Sequence, residues 1–347
     1  MFTNYLIDKF KSFRKQNYLN QLVSYRHQYA FIGAGNHSIA NLYPCIRQLN
    51  VPLRYICTKR KTNAEKMATS FPGCTGTADV NLILQDQSVR GVFVSAQPFL
   101  QPGFTRQLLE AGKSVFVEKP PAFSLAELEQ LIGLQGAQVC MPGLQRRFST
   151  INHFLQKRRF SAATYSYRYL TGQYPEGDPV YELFIHPVDN ALQLFGNAKL
   201  VSIQKAQSGS LLTWFIHLEH KQGARGVLEL SNHYSWSSVR EMLEINTEKE
   251  ILEASYPLRL TGIQKPTVIA GFPSEKFMQR PGLQKIYIDN QGTIPVALNN
   301  SLVSQGFFGE IDHFVRQVEE GKTSEAGDLS SLRNAYMILE QLKAAGA

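Results

Sequence analysis

The chain has 347 residues, of which 43% are hydrophobic, and this length and composition favour two globular domains over one. The composition also excludes an intrinsically disordered or fibrous protein. No segment approaches the roughly 18 consecutive apolar residues of a transmembrane helix, and the N-terminal residues lack the unbroken apolar core of a secretory signal. We therefore expect a cytoplasmic protein with no integral membrane segment.

The cysteines are widely spaced and contain no CxxC pair. Four such residues in mostly apolar surroundings are typical of buried free thiols. The sequence therefore predicts neither a disulfide nor a bound metal. These residues are Cys45, Cys57, Cys74 and Cys140.

Half of the formal net charge of +8 lies at the N-terminus, in residues 1–28. This basic N-terminal arm holds five lysines and arginines and a single acid, Asp8. Leu6, Phe10 and Phe13 recur at helical spacing, which predicts a basic amphipathic helix. The helix could rest on an anionic membrane, on its own domain or on a second subunit. Because no zinc finger, RNP motif or recognition helix accompanies the charge, we do not expect nucleic-acid binding.

The stretch "YAFIGAGNHSIANLYPCIRQL", residues 29–49, predicts a buried strand, a glycine turn and a helix. Gly33 and Gly35 are the first two glycines of a dinucleotide-binding turn, where a missing side chain lets the backbone approach a pyrophosphate. Ser38 replaces the third glycine of GxGxxG and is small enough for close helix packing. Asn36 and His37 complete the turn and are predicted to lie at the cofactor. The apolar positions of the helix include Ile39, Leu42, Ile46 and Leu49.

Three further apolar segments, at 53–59, 91–96 and 114–119, alternate with helical patterns. This alternation predicts a doubly wound parallel sheet, which binds its ligand beyond the carboxyl ends of the strands. Gln97 follows one of these strands, and Glu118 and Lys119 end another. Pro120 and Pro121 then prevent regular strand pairing from continuing. We therefore expect all three polar side chains to lie at the cofactor crevice.

A basic turn follows the second strand, at the place where the adenosine ribose of a dinucleotide lies. Thr58, Lys59, Arg60 and Lys61 occupy it, and no Asp or Glu occurs before Glu65. An acid at this place would favour NAD, whereas a hydroxyl and cations favour the 2′-phosphate of NADP. The sequence therefore predicts NADP as the cofactor, with NADPH preferred over NADH.

The motifs together resemble those of the Gfo/Idh/MocA oxidoreductases, the family of glucose-fructose oxidoreductase and inositol dehydrogenase. The resemblance extends over most of residues 29–200. It rests on "GAGNHS", "EAGKSVFVEKPPAFSLAEL" at 110–128, "GLQRRF" at 143–148 and "ELFIHPVDNALQLFG" at 182–196. The chain departs from the family pattern at 95–101, where "SAQPFLQ" replaces an ATPNHLH-like segment and lacks both histidines.

The resemblance implies an α/β protein in which an N-terminal Rossmann domain precedes an α/β domain with a large, open, mostly antiparallel sheet. We place the Rossmann domain at 29–150 and the substrate-binding and oligomerisation domain at 151–347. The stretch "LLTWFIHLEH" at 211–220 supports the second sheet, since apolar Trp214, Ile216 and Leu218 alternate with Phe215 and His217.

Five residues are predicted to act on the substrate. By resemblance, Lys119 is the active-site lysine and His186 the acid-base histidine. Glu182 lies four residues before His186, so on a helix both would share a face, and the family usually has Asp there. Whether Glu182 contacts the substrate, orients His186 or does neither stays open. Arg147 and Asp189 are predicted to bind the substrate.

The sequence thus predicts an NADP-dependent oxidoreductase acting on a hydroxyl or carbonyl carbon of a sugar, nucleotide sugar or related polyol. The predicted partners are this small molecule and further copies of the chain in a homo-oligomer. Two alternatives remain: reduction of a C=N or C=C bond, and a regulator that binds the dinucleotide without turning it over.

Overall fold

A computed structural model describes residues 5–13, 25–158, 162–174, 176–277, 284–290, 300–324 and 328–345. Residues 5–13 form a helix, α1, in which every residue is exposed. The rest of the predicted basic helix, up to Leu22, lies outside the described residues. None of the helices in the described segments combines the length and apolarity needed to cross a bilayer.

The first sheet contains six parallel strands. They are β1 (Gln28–Ile32), β2 (Leu53–Cys57), β3 (Thr75–Thr77), β4 (Val89–Val94), β5 (Ser114–Glu118) and β6 (Cys140–Gly143). Their order is β3-β2-β1-β4-β5-β6, the Rossmann order. Since β1, β4 and β5 are buried on both faces, their sequences are almost wholly apolar. The predicted doubly wound sheet is confirmed.

Helices connect these strands and cover both faces of the sheet. They are α2 (Tyr43–Gln48), α3 (Lys61–Ala68), α4 (Asn81–Gln85), α5 (Gln101–Glu110) and α6 (Leu125–Leu134). A π-helical turn, Ser38–Leu42, precedes α2 directly after the glycine turn. Ser38 is fully buried there, as expected of a small residue in the place of the third glycine.

The second sheet has eight strands. They are β7 (Ala162–Leu170), β8 (Ala198–Ser208), β9 (Leu211–His220), β10 (Arg225–Ser231), β11 (Arg240–Thr247), β12 (Glu250–Ser255), β13 (Arg259–Gln264) and, after the hairpin β14 (Val268–Ile269) and β15 (Phe272–Pro273), β16 (Gln284–Asp289). Their order is β16-β13-β12-β11-β7-β10-β9-β8, and only the β7 and β10 pair is parallel. Trp214, Ile216 and Leu218 are buried and Phe215 and His217 exposed, so the predicted alternation is confirmed.

Six helices complete the described part of the chain. They are α7 (Thr150–Arg158), α8 (Pro179–Glu182), α9 (Ile185–Phe195), α10 (Ser301–Gln305), α11 (Phe307–Glu320) and α12 (Arg333–Ala344). Although α11 and α12 follow the second sheet in sequence, both return to the first domain. Phe314 on α11 packs on Phe93 and Phe116 at ring distances of 5.1 and 5.9 Å. Tyr336 on α12 donates a hydrogen bond to the carbonyl of Ala122.

Candidate active site

The glycine turn joins β1 to the helix that follows and lies at the carboxyl edge of the first sheet. Gly33 has φ +117°, and a Cβ there would overlap the carbonyl of Ser95, so this position requires glycine. At Gly35 a Cβ would meet no atom of the described chain, so the backbone faces open space. The hydroxyl of the buried Ser38 donates a hydrogen bond to the carbonyl of Gly35 and stabilises the turn. This arrangement suits the close approach of a pyrophosphate.

His37 connects the glycine turn to the end of β5. Its Nε2 lies 3.1 Å from Oε1 of Glu118, and its Nδ1 lies 3.2 Å from the amide of Asn41. Burial disfavours the imidazolium, but the charge of Glu118 and the hydrogen bond to it raise the pKa of His37 above its usual value. Asn36 and His37 are both exposed at the start of the helix, in the region predicted for the cofactor.

The basic turn lies beyond the carboxyl end of β2, as predicted. Thr58 donates a hydrogen bond of 2.7 Å to the carbonyl of Arg60, so its hydroxyl holds the turn closed. Lys59 and Arg60 are exposed, and neither forms an ion pair within the described segments. Gln97 is also exposed, directly after β4. These residues and the open space above Gly35 fit a dinucleotide laid along the carboxyl edge.

Lys119 follows β5 and reaches toward the second domain. Its Nζ donates a hydrogen bond of 2.8 Å to the backbone carbonyl of Glu182. Burial lowers the pKa of Lys119, while the charges of Glu118 and Glu182 oppose that shift and Arg146 adds to it. The ammonium is thus partly desolvated and held against a carbonyl that lies four residues before His186 in the sequence.

His186 lies in the first turn of α9 and is 6% exposed. Its Nδ1 is enclosed and has no hydrogen-bond partner among the residues that the structure describes. Burial, together with the charges of Arg146 and Lys119, holds the pKa of His186 well below its usual value. The imidazole is therefore neutral at physiological pH and able to accept a proton.

Glu182 contacts Lys119 through its backbone carbonyl, whereas its carboxylate binds other groups. The helix is interrupted at residues 183–184, and the carboxylate accepts hydrogen bonds from the Tyr174 hydroxyl at 2.6 Å and the Asp178 amide at 3.0 Å. No hydrogen bond joins Glu182 to His186 within the described chain. Of the alternatives left open, orientation of His186 by this carboxylate is therefore not observed. Instead, the carboxylate holds the loop that contains Tyr174. Sequence reasoning did not predict this contact.

Arg147 and Asp189, both predicted to bind substrate, form a buried ion pair with each other. The guanidinium of Arg147 donates to both carboxylate oxygens of Asp189, at 2.8 and 2.5 Å, and also to the Ser331 hydroxyl at 3.0 Å. The two residues are 5% and 2% exposed. In this geometry the pair fixes α9 against the segment after β6, and contact with the substrate stays a prediction.

Arg146, which is partly exposed, forms a second ion pair with the buried Glu241 on β11. Two hydrogen bonds of 2.5 Å join them, and the Tyr167 hydroxyl donates to the same carboxylate at 2.7 Å. Arg146 also lies 5.7 Å from the ring of Tyr169. Sequence reasoning did not identify Glu241. The alternation of "REMLEINT" on β11 is the signal, because it places Glu241 on the buried face.

Glu310 is a further residue that sequence reasoning missed. It is fully buried in the first turn of α11, and neither carboxyl oxygen has a hydrogen-bond partner among the described residues. Burial, reinforced by the charge of Glu118, raises the pKa of Glu310 well above its usual value and favours the protonated carboxyl. Its position in the apolar stripe of Phe307, Ile311 and Phe314 could have revealed it.

No group of three or more His, Cys, Asp or Glu side chains within the described segments is arranged to hold a metal ion. All four cysteines are free thiols. The candidate site therefore has two parts. The carboxyl edge of the first sheet, with the glycine turn, could hold a dinucleotide, and Lys119 and His186 lie beside it.

Comparisons with known proteins extend these observations. Residues 27–141 match the model of an oxidoreductase family with an NAD-binding Rossmann fold, Gfo/Idh/MocA. A search of curated protein sequences finds no match. Solved structures resemble nearly the whole chain, at identities low enough that they establish the fold alone.

Three of these structures illustrate the similarity. A dehydrogenase from Chromobacterium violaceum has a TM-score of 0.79 at 18% identity, over 93% of this chain and 96% of that one. UDP-N-acetylglucosamine 3-dehydrogenase GnnA from Acidithiobacillus ferrooxidans scores 0.71 at 16%, over 92% and 97%. KijD10, a 3-ketoreductase from Actinomadura kijaniata solved with NADP, scores 0.68 at 14%, over 90% and 95%.

The resemblance inferred from the motifs is thereby confirmed. The family match covers the domain that holds the glycine turn and the Glu118 and Lys119 pair, and the described second sheet has the open form that the resemblance implied. Residues 27–141 are thus similar to the NAD-binding Rossmann domain of the Gfo/Idh/MocA oxidoreductase family.

Proposed function

We propose that the protein transfers a hydride between NADP and a hydroxyl or carbonyl carbon of a sugar or nucleotide sugar. One observation carries this proposal. A partly desolvated lysine at the carboxyl end of β5 is tied to the backbone four residues before a buried, neutral histidine. Together they supply the cation and the proton acceptor that oxidation of a secondary alcohol requires.

His186 serves as the acid-base group. When a hydroxyl is oxidised, its proton must leave as the hydride leaves, and the neutral imidazole accepts it. Because burial, Arg146 and Lys119 depress the pKa of His186, the imidazole stays available as a base at acidic pH. A nicotinamide held at the carboxyl edge of the first sheet would supply the hydride acceptor or donor.

Lys119 holds the substrate oxygen and stabilises the negative charge that develops on it. Its hydrogen bond to Glu182 leaves two ammonium protons for other acceptors. Partial burial strengthens its interaction with an oxyanion, since the local dielectric is lower than that of water. The Glu182 carboxylate contributes indirectly, because with Tyr174 it fixes the loop next to the carbonyl that Lys119 binds.

The basic turn supports NADP as the cofactor. Thr58 closes the turn, and the exposed Lys59 and Arg60 stand where an adenosine 2′-phosphate would lie. Gly33 and Gly35 would admit the pyrophosphate, and Gln97 and the Glu118 segment would border the nicotinamide. KijD10, solved with NADP, has the same overall fold.

Two of the similar structures support the proposed substrate class, since one is a UDP-N-acetylglucosamine 3-dehydrogenase and the other a 3-ketoreductase. The buried hydrogen bonds around the site also favour a polar substrate, because they fix polar groups in place before binding. We infer that Arg147 and Asp189 position α9 instead of touching that substrate.

A homo-oligomer is also proposed. The face of the second sheet turned away from the helices is open and exposes Phe215, Val227 and Met242 at 38%, 39% and 40%. The ion pair of Arg168 and Glu229 lies on the same face. Such a mixed apolar and charged surface is suited to contact with another copy, which light scattering of the purified protein would detect.

A panel assay tests the proposed activity. The protein is incubated with NADP⁺ and individual nucleotide sugars, free sugars and polyols, and the absorbance of reduced nicotinamide is followed. We expect reduction with at least one nucleotide sugar in the wild type and none with Lys119→Ala. Turnover confined to imines or activated alkenes with NADPH would instead establish the alternative reductase.

A further inference from the structure

Helix α1, residues 5–13, exposes its apolar side chains to solvent. Tyr5, Leu6, Ile7, Phe10 and Phe13 are between 45% and 63% exposed. A helix at the surface of a globular protein normally buries its apolar stripe against the core. Exposed apolar side chains clustered in this way mark a surface that contacts another molecule or a membrane.

The charges around α1 indicate the nature of that surface. At about 100° per residue, one face contains Leu6, Ile7, Phe10 and Phe13. Lys9 falls beyond the Phe13 border of this face and Lys11 beyond the Ile7 border. Lysine stems placed there can lie along an apolar layer while the ammonium groups reach charged headgroups. An apolar face bordered by lysines is the pattern of a helix lying in a membrane interface.

Contact between two copies of α1 is less favourable on charge grounds. Residues 1–15 contain four cations and one acid, so two arms packed together would bring like charges close to each other. An anionic lipid surface would instead neutralise each cation, with a contribution that accumulates along the arm.

The attachment point of the arm is compatible with a surface role. The fold begins at Tyr25, whose hydroxyl donates to the Leu49 carbonyl, and Arg26, whose amide donates to Glu319. β1 then starts at Gln28, at the sheet edge opposite Gly33 and the candidate active site. An arm fixed there can lie on a surface without covering the crevice.

We propose that α1 docks the protein on an anionic lipid bilayer. Leu6, Ile7, Phe10 and Phe13 enter the boundary between headgroups and acyl chains, and Lys9 and Lys11 bind lipid phosphates. The contact is peripheral and reversible, and weakens as salt screens the lysines. This proposal is independent of the hydride transfer proposed above.

Sedimentation with vesicles tests the proposal on the full chain. Vesicles of phosphatidylcholine mixed with phosphatidylglycerol are compared with vesicles of phosphatidylcholine alone. We expect binding to the anionic vesicles only, accompanied by a gain in helical circular dichroism. Lys9→Gln combined with Lys11→Gln should weaken the partition coefficient about thirtyfold, since each lysine near the surface contributes a factor of about five. Leu6→Ser combined with Phe13→Ser should weaken it roughly tenfold or more.

A matched control removes exposed apolar groups elsewhere. Val268→Ser combined with Phe272→Ser alters the β14 and β15 hairpin, whose residues are 66% and 57% exposed, and should bind vesicles like the wild type. The proposal is overturned if the wild type binds neither vesicle, or if the α1 variants bind as well as the control. It is also overturned if deleting residues 1–13 dissociates an oligomer in the absence of lipid, because a second copy then covers the helix.

Discussion

Two parts of the candidate site differ in whether their charged side chains already have partners. The cofactor edge is the glycine turn with the basic turn after β2, and the catalytic edge is the region of Lys119, His186 and α9. At the cofactor edge, Lys59 and Arg60 are exposed, and the backbone at Gly35 faces open space. At the catalytic edge, Arg147 and Asp189 are buried and bind each other. The first edge therefore gains its interactions when a ligand arrives, whereas the second is held rigid in advance. His186 is the exception at the catalytic edge, because its enclosed Nδ1 has no partner in the described chain.

Replacing Lys119, at the catalytic edge, should have the largest effect on turnover. We expect Lys119→Ala to reduce turnover to background and to leave NADPH affinity within about tenfold, because the lysine acts chiefly on the transition state. Steady-state kinetics and fluorescence titration measure the two quantities. The matched control is Lys113→Met at the other end of β5, where the ammonium binds the carbonyls of Asp86 and Val89. That variant should lose stability and keep its turnover, and equal activity in both variants would remove Lys119 from the mechanism.

His186→Asn should lower kcat by roughly 10²- to 10⁴-fold, the range for losing a general acid or base. Its matched control is His220→Asn, because His220 is also buried but both ring nitrogens are paired, with Tyr165 and the Gly196 carbonyl. The control should lose stability without losing kcat per folded molecule. Equal loss of kcat in the two variants would contradict the distinction between unpartnered and paired histidines.

The pH profile of alcohol oxidation tests the same residue. Because the pKa of His186 is lowered, its active neutral form persists below the usual histidine pKa of 6.5 and is lost only at more acidic pH. The acid limb of kcat/KM should therefore lie below pH 6.5 in the wild type and disappear in His186→Asn. An unchanged acid limb in the variant would assign the proton to another group.

Breaking the buried pair should affect stability more than chemistry. Arg147→Met leaves the Asp189 carboxylate buried and unpaired, and we expect a loss of about 3 to 5 kcal/mol in the free energy of unfolding. Urea denaturation measures it. Adding Asp189→Leu should restore much of the loss, since the uncompensated charge is removed. If the double variant is stable but its KM rises sharply with kcat unchanged, the pair binds substrate after all.

Substitutions at the cofactor edge should have the smallest effect, a change in cofactor preference. Arg60→Ala combined with Thr58→Asp removes a cation and adds a carboxylate where the 2′-phosphate would lie, and should shift preference from NADPH to NADH by roughly tenfold or more. Titration of both reduced cofactors measures the shift. Lys66→Ala, on the helix that follows the turn but further from it, is the control and should leave the ratio unchanged. Equal or tighter NADH binding by the wild type would refute the predicted preference.

The features readable from sequence are those that depend on neighbouring residues in the chain. The strand periods, the glycine turn and the lysine after β5 all follow from short motifs, and the structure places each as predicted. Local periodicity failed at the π-helical turn Ser38–Leu42, where the wider turn rotates Ile39 away from the core and leaves it 47% exposed.

The features that sequence reasoning missed depend on contacts between distant residues. Arg147 and Asp189 are 42 residues apart in the sequence, and Arg146 and Glu241 are 95 apart. No short sequence motif therefore predicts either pairing. The return of α11 to the first domain similarly depends on aromatic contacts with β4 and β5. The direction of the Glu182 carboxylate was equally hidden, because it follows from the helix break after that residue and from the Tyr174 loop.

Transfer of an isotopic label tests the central claim most directly, because the substrate need not be identified before the experiment. The protein is incubated with NADPH deuterated at C4, in both stereoisomers, and a small-molecule extract of the source organism, and mass spectrometry locates the label. We predict deuterium on a hydroxyl-bearing carbon of a sugar or nucleotide sugar, from one stereoisomer only, in the wild type and not in Lys119→Ala. Label on a carbon bonded to nitrogen or on a former alkene carbon would contradict the account. So would the absence of any label despite tight NADPH binding, which would identify a dinucleotide-binding regulator.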